Sequence, residues 1–143
     1  ICSMCAITGI SSSEGLVLNP LFYLGFILFL IGFSIEVIAD HQKTVFRAIK
    51  ENKDKFISTG LWSKSQHPNY FGEILLWSSI AIMSFSSLSG TQYLTMISPI
   101  FTYVLLVYIS GVRMLDDMGN KQWGHLEEYK QYKQNTPVLF IKP

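Results

Sequence analysis

Asn69 and Glu73 stand four residues apart in GLWSKSQHPNYFGEILLW, residues 60–77, and so share one face of any helix that carries them. A carboxylate one turn inside an apolar run of membrane-span length is costly, which makes it a functional-site candidate by default. Asn69 has two readings of equal weight, a cap on a free N–H at the helix start or a ligand-binding amide. His67 can serve as a general acid or a phosphate contact, or simply as a loop residue before Pro68. Glu36, Asp40, Lys43 and Arg47 fall at i, i+4, i+7 and i+11 and share a second face. That set reads either as an ion-paired helix end or as a polar stripe for an anionic ligand. Tyr129 and Tyr132, in EEYKQYKQNTP, are interface anchors or hydrogen-bond donors to a bound molecule.

The elements that hold these residues are helical. Pro68 suits the first position of a helix, where its missing N–H costs nothing. Pro20 to Ala39 is close to the ~20 apolar residues that cross a bilayer core. Residues 40–56 are charged but keep a helical period, with Val45, Phe46 and Ile49 forming an apolar side suited to the interface. Residues 70–88 and 93–111 read as two further spans, the last with a kink at Pro99. Residues 1–10 read as the end of a truncated span and, with the linker that follows, form a segment 1–19 before the domain 20–143. The expected fold is all-α and polytopic: about three full transmembrane helices plus a partial N-terminal one, a cytosolic interfacial helix and a C-terminal tail.

Composition agrees. The 143 residues are 49% hydrophobic and only 15% charged, too apolar for an ordinary soluble domain. All 11 Lys and Arg fall within residues 40–67 and 111–143. Three spans put both basic segments on one side, which the positive-inside rule makes cytosolic. The partners expected are the bilayer and a lipophilic small molecule. A net charge of +1 gives no nucleic-acid signal. His41, His67 and His125 are scattered without ligand spacing, so no metal is expected. Cys2 and Cys5 read as two small apolar residues, and no Gly-rich phosphate loop is present.

The ordered motifs E-x-x-x-D-x-x-K-x-x-x-R, GLW-x-x-S-x-HPNYFGE-x-x-x-W, SPIF…LL…SG and EEYKQYKQNTP resemble the C-terminal domain of steroid 5α-reductase-like membrane proteins. The nearest branch is its domain-of-unknown-function group; sterol C14-reductases and isoprenylcysteine carboxyl methyltransferases are more distant. The resemblance covers roughly residues 20–143. It implies an oxidoreductase that moves hydride from NADPH to an activated C=C bond of a steroid- or enone-like lipid. Asp40 and Arg47, with Glu36 and Lys43 nearby, match residues that hold the cofactor. Asn69 matches a cofactor contact and Glu73 a residue that polarises the enone carbonyl. Tyr129 or Tyr132 match the C-terminal catalytic tyrosines, and His125 a cofactor-facing histidine, with His67 beside them. The location implied is the endoplasmic reticulum in a eukaryote or the inner membrane in a bacterium.

Two departures stand out. Gln66 replaces the Arg of the group's S-R-H-P-N-Y, a residue able to contact a phosphate, which weakens without removing the case for a 2′-phosphate ligand. The family's N-terminal half is not in this sequence, which begins at Ile1, so the chain reads as a C-terminal fragment incomplete as a catalyst. The first rival reading is an S-adenosylmethionine-dependent lipid or prenylcysteine methyltransferase, which shares HP-x-Y-x-G and a terminal Y-x-x-Y. The second is a non-catalytic sterol- or lipid-binding membrane protein on a reductase scaffold.

Overall fold

The computed structural model describes residues 4–11 and 15–142. Among the described residues the protein is all-helical, with 76% of them in helix, in the order α1 (Met4–Ile10), α2 (Pro20–Ala48), α3 (Pro68–Ser84), α4 (Ile97–Val104), α5 (Val112–Trp123) and α6 (Glu127–Asn135). The reading of the Cys2–Cys5 pair lies outside the described residues.

Helix α2 is the mast of the structure. Asn19 caps it, accepting from the Phe22 N–H at 2.9 Å, and Pro20 occupies the first turn. The Asn19 amide also donates to Ser86 Oγ at 2.6 Å, which ties the start of α2 to the end of the α3 region. The helix then runs unbroken for 29 residues. The charged stretch expected as a separate interfacial helix is therefore a direct extension of α2 as far as Ala48.

Helices α2 and α3 pack antiparallel through small residues. Gly25 faces Ser79 and Met83, while Gly32 faces Gly72 and Leu76. A Cβ on Gly32 would come within 2.9 Å of the Gly72 carbonyl, and one on Gly72 within 2.7 Å of Glu36 N. Such close backbone approach is how helices gain packing energy where lipid removes the hydrophobic drive between them. Any larger side chain at either position forces the pair apart.

Among the described residues, two helical stretches are long and apolar enough to cross a membrane, Pro20–Ala48 and Gly90–Trp123. Most of the apolar surface of α2 faces outward, including Tyr23, Leu24, Ile27, Leu30, Ile31 and Phe33. Helix α3 is shorter, at 17 residues, and continues into a single 3₁₀ turn at Phe85–Ser87. In the third region a 3₁₀ segment, Gly90–Met96, passes directly into α4 at Ile97, two residues before Pro99. A further irregularity follows, a π turn at Leu105–Ile109 closed by Ser110 N–H donating to the Leu105 carbonyl at 2.9 Å.

Candidate functional site

The C-terminal end of α2, residues 49–67, α5 and α6 enclose a cavity of about 450 Å3. The chain between α2 and α3 is folded back onto α2 by a set of side-chain locks. The Asn52 amide donates to the Phe46 carbonyl at 3.1 Å. Gln42 Oε1 accepts from Leu61 N–H at 2.9 Å, and the buried Trp62 indole donates to the Ala39 carbonyl at 3.0 Å. Gly60, at φ +61°, makes the turn; a Cβ there would be strained and would strike the Gln42 amide.

Phe56 centres the aromatic wall, with Tyr129, Tyr132 and Trp123 at ring distances of 5.1, 5.4 and 6.1 Å. Trp123 is itself pinned by its indole N–H, which donates to the Asp54 carbonyl at 2.6 Å. The Tyr129 hydroxyl lies directly over Gly119, in space that a Cβ would take. Against this wall stands a cationic rim of Lys43, Arg47, Lys53 and Lys55. Its one lining carboxylate, Asp116, is already paired with Lys133. The only other ion pair among the described residues is Lys130–Glu127, so the rim cations have no carboxylate partners there. Lys43 Nζ instead sits 5.0 Å over the Trp62 ring.

The residues singled out from sequence divide into two groups. Lys43, Arg47, His67, Tyr129 and Tyr132 line the cavity. Glu36, Asp40, Asn69 and Glu73 do not. Glu36 and Glu73 are close enough to feel each other's charge, on the side where Gly72 lets α2 and α3 meet. His125 is exposed between α5 and α6, away from the lining. The ion-paired alternative for the α2 stripe is not realised among the described residues. Nor is the capping alternative for Asn69, whose Oδ1 is buried with no hydrogen-bond partner.

His67 joins the two groups. It is the residue before the first turn of α3, and it is 8% exposed. Its ring forms part of the cavity wall and stacks on Tyr70 at 5.5 Å. Tyr70 in turn feels the charges of Glu73 and Asp40. His67 Nδ1, like Asn69 Oδ1, is buried and unpartnered. Burial holds the imidazole pKa down at about 4, with the nearby Lys43 ammonium adding to the effect, Asp116 opposing it and Lys133 adding to it again. The ring is neutral at physiological pH. Burial also raises the phenols of Tyr129, where Asp116 contributes, and of Tyr132, where Tyr129 contributes. Both stay protonated, but the Tyr132 proton is committed to the Trp62 carbonyl at 2.6 Å.

Several residues of the site carry no signal in local spacing. Phe56, Trp62, Trp123, Lys53 and Lys55, which also line the cavity, are not among the candidates that spacing singles out. Gln66 has left the phosphate question altogether: its amide donates to the carbonyls of Lys133 at 3.1 Å and Thr136 at 2.6 Å, at the C-terminal end of α6. Among the described residues, no group of three or more His, Cys, Asp or Glu side chains is arranged to hold a metal ion.

The chain is 30% identical over 127 residues to mouse 3-oxo-5-alpha-steroid 4-dehydrogenase 1, and 29% identical over 127 residues to the rat protein of that name. Each match covers 89% of this chain and 44% of the relative. It is also 32% identical over 90 residues to a probable O-methyltransferase, ustE, of Ustilaginoidea virens, covering 61% of this chain and 32% of that protein. The chain thus spans less than half the length of the curated relatives it matches. No solved structure matches it significantly. The family model described as "Protein of unknown function (DUF1295)" matches residues 1–136, and the chain belongs to that steroid 5α-reductase-like family.

Proposed function

We propose that this chain forms the cofactor-binding part of a membrane-embedded reductase that uses NADPH to saturate an activated C=C bond of a steroid- or enone-like lipid. The observation that carries this reading is the unpaired cationic rim of Lys43, Arg47, Lys53 and Lys55, facing an aromatic wall. The rim suits a polyphosphate, and the faces of Phe56, Trp123 and Tyr129 suit flat rings. Asn69, outside the cavity lining, is assigned to the cofactor by its match to the family motif. Bound NADPH supplies a hydride for the β-carbon of the enone.

The chain's own residues do the rest. Glu73, one turn deeper than Asn69, acts in its protonated form, donating a hydrogen bond to the substrate carbonyl, where stabilising the developing enolate oxygen lowers the barrier most, and the enolate then takes a proton from solvent at its α-carbon. His67, which lines the cavity, stacks on Tyr70, which feels the charges of Glu73 and Asp40, so the reactive end of the cofactor is taken to lie on that side of the cavity, in direct contact with the lipid. Tyr132 serves as wall and anchor, Tyr129 as wall, and Asp40 and Glu36 flank the substrate side. In this reading α3 is a third span, and residues 40–67 and 111–143 face the cytosol. The organelle follows the source, as set out above.

The O-methyltransferase match supports a second reading, in which the cavity takes S-adenosylmethionine. That cofactor carries a cationic sulfonium, which four unpaired cations disfavour. A detergent-solubilised full-length protein supplied with NADPH and lipid enones tests the first reading. Turnover that falls by orders of magnitude in Glu73→Gln and Asn69→Ala supports it, and undiminished turnover in both sinks these assignments.

A further inference from the structure

The end of the chain is bonded to the loop that carries Gln66 and His67 into the wall of the cavity. Beyond α6, residues 136–142 run back along residues 64–66. Gln66 N–H donates to the Pro137 carbonyl at 2.9 Å, and Lys142 N–H to the Lys64 carbonyl at 2.9 Å. Ser65, fully buried, donates through Oγ to the Leu139 carbonyl at 2.9 Å. The same oxygen accepts from the His67 N–H at 3.3 Å. Phe140 closes the arrangement by resting its ring edge-on against Phe71, at 6.1 Å.

His67 needs such a support. Its Nδ1 has no hydrogen bond, so nothing on that side of the ring fixes its orientation. What fixes it is the backbone on one side and the face of Tyr70 on the other. We propose that Ser65 and Gln66 are positioning residues: they clamp residues 136–139 to the loop and thereby set His67 in the wall of the cavity, so that the C-terminal segment is a working part of the binding site. The clamp acts on main-chain carbonyls, through one hydroxyl and one amide, which is why both side chains are buried although both are polar. Gln66, standing where the family has Arg, is thereby given a role that involves no phosphate.

The inference rests on the cavity being the cofactor site, and the test separates the two. Ser65→Ala and Ser65→Thr are compared with the wild-type full-length protein in detergent. Two quantities are read: the His67 imidazole titration by NMR, and NADPH affinity by fluorescence. His67 titrates at about 4 in the wild type, facing Lys43, Asp116 and Lys133. Loss of the clamp admits water, so Ser65→Ala moves that midpoint up towards the ordinary imidazole value, and Ser65→Thr restores it. NADPH affinity falls about tenfold or more in Ser65→Ala, which removes both hydrogen bonds of the Ser65 hydroxyl. An unchanged His67 titration in a folded Ser65→Ala overturns the proposal. A shifted titration in a protein that binds no NADPH at any state keeps the positioning role and removes the cofactor reading. If Ser65→Ala does not fold, amide exchange of the wild type serves instead. Saturating NADPH slows exchange at Gln66 and Lys142 severalfold if tail and cavity are coupled, because linkage is reciprocal. Exchange that ignores bound NADPH overturns the coupling.

Discussion

The hydroxyl of Tyr132 donates to the main-chain carbonyl of Trp62 at 2.6 Å, across 70 residues of chain. This bond joins α6 to the loop before α3 and closes one side of the cavity. It also spends the proton that a catalytic tyrosine would offer. Tyr132→Phe keeps the ring against Phe56 and removes only the bond, so stability falls by about 1 kcal/mol and turnover stays within a few-fold. Thermal unfolding alongside enone turnover checks this. Full stability with abolished turnover would instead assign the hydroxyl to the chemistry.

Gly119 sets the floor under Tyr129. A methyl group there meets the Tyr129 hydroxyl, and that ring is held by Phe56 and Trp123. Gly119→Ala therefore pushes the ring into the cavity at a cost of about 1–3 kcal/mol, and NADPH binding weakens with it. Pairing it with Tyr129→Phe, which takes away the clashing oxygen, recovers part of both losses. Purely additive losses in the double variant contradict the contact.

His67 makes stability depend on pH with a definite sign. Its folded pKa of about 4 lies below the unfolded imidazole value, so the unfolded chain binds the extra proton first. The contribution is whole above the unfolded value near pH 6.5 and is lost as pH falls through the window down to about 4, by at most about 3 kcal/mol. Denaturant midpoints between pH 7 and pH 4 measure it. His67→Gln flattens that part of the curve, and a slope unchanged by the substitution would show that other groups carry it.

Lys43 and Arg47 face the cavity from the last turns of α2 without carboxylate partners among the described residues. If they meet phosphate, Lys43→Ala or Arg47→Ala each weakens NADPH binding about tenfold at low salt. The deficit shrinks as salt rises, because exposed charge is screened. Arg47→Lys recovers less than half of the loss, since a single ammonium cannot reproduce a forked guanidinium contact.

Much of this arrangement is legible in the sequence, and the part that is not has physical causes. Pro68 starts α3, Pro20 starts α2, and segregation of Lys and Arg places the cavity at one end of the helices. The α2 stripe shows the limit of reasoning by face alone. Glu36 and Arg47 share a face, but eleven residues of helix separate them by about 16 Å along the axis. Only the upper members, Lys43 and Arg47, therefore reach the cavity. The same rise puts Glu73 about 6 Å deeper than Asn69. Local periodicity is silent about partners 69 or 70 residues away, such as Trp123 with the Asp54 carbonyl or Gln66 with that of Thr136. Those bonds end on main-chain carbonyls, which every residue has, so no side-chain pattern marks them.

The decisive measurement is direct binding to the purified full-length protein, by calorimetry, of NADPH and S-adenosylmethionine in separate titrations. Saturable NADPH binding that is lost on replacing Arg47 and Lys43 together, with no binding of S-adenosylmethionine, is the result the cationic rim requires. Saturable S-adenosylmethionine binding without NADPH binding would contradict it and move the protein to the methyltransferase reading.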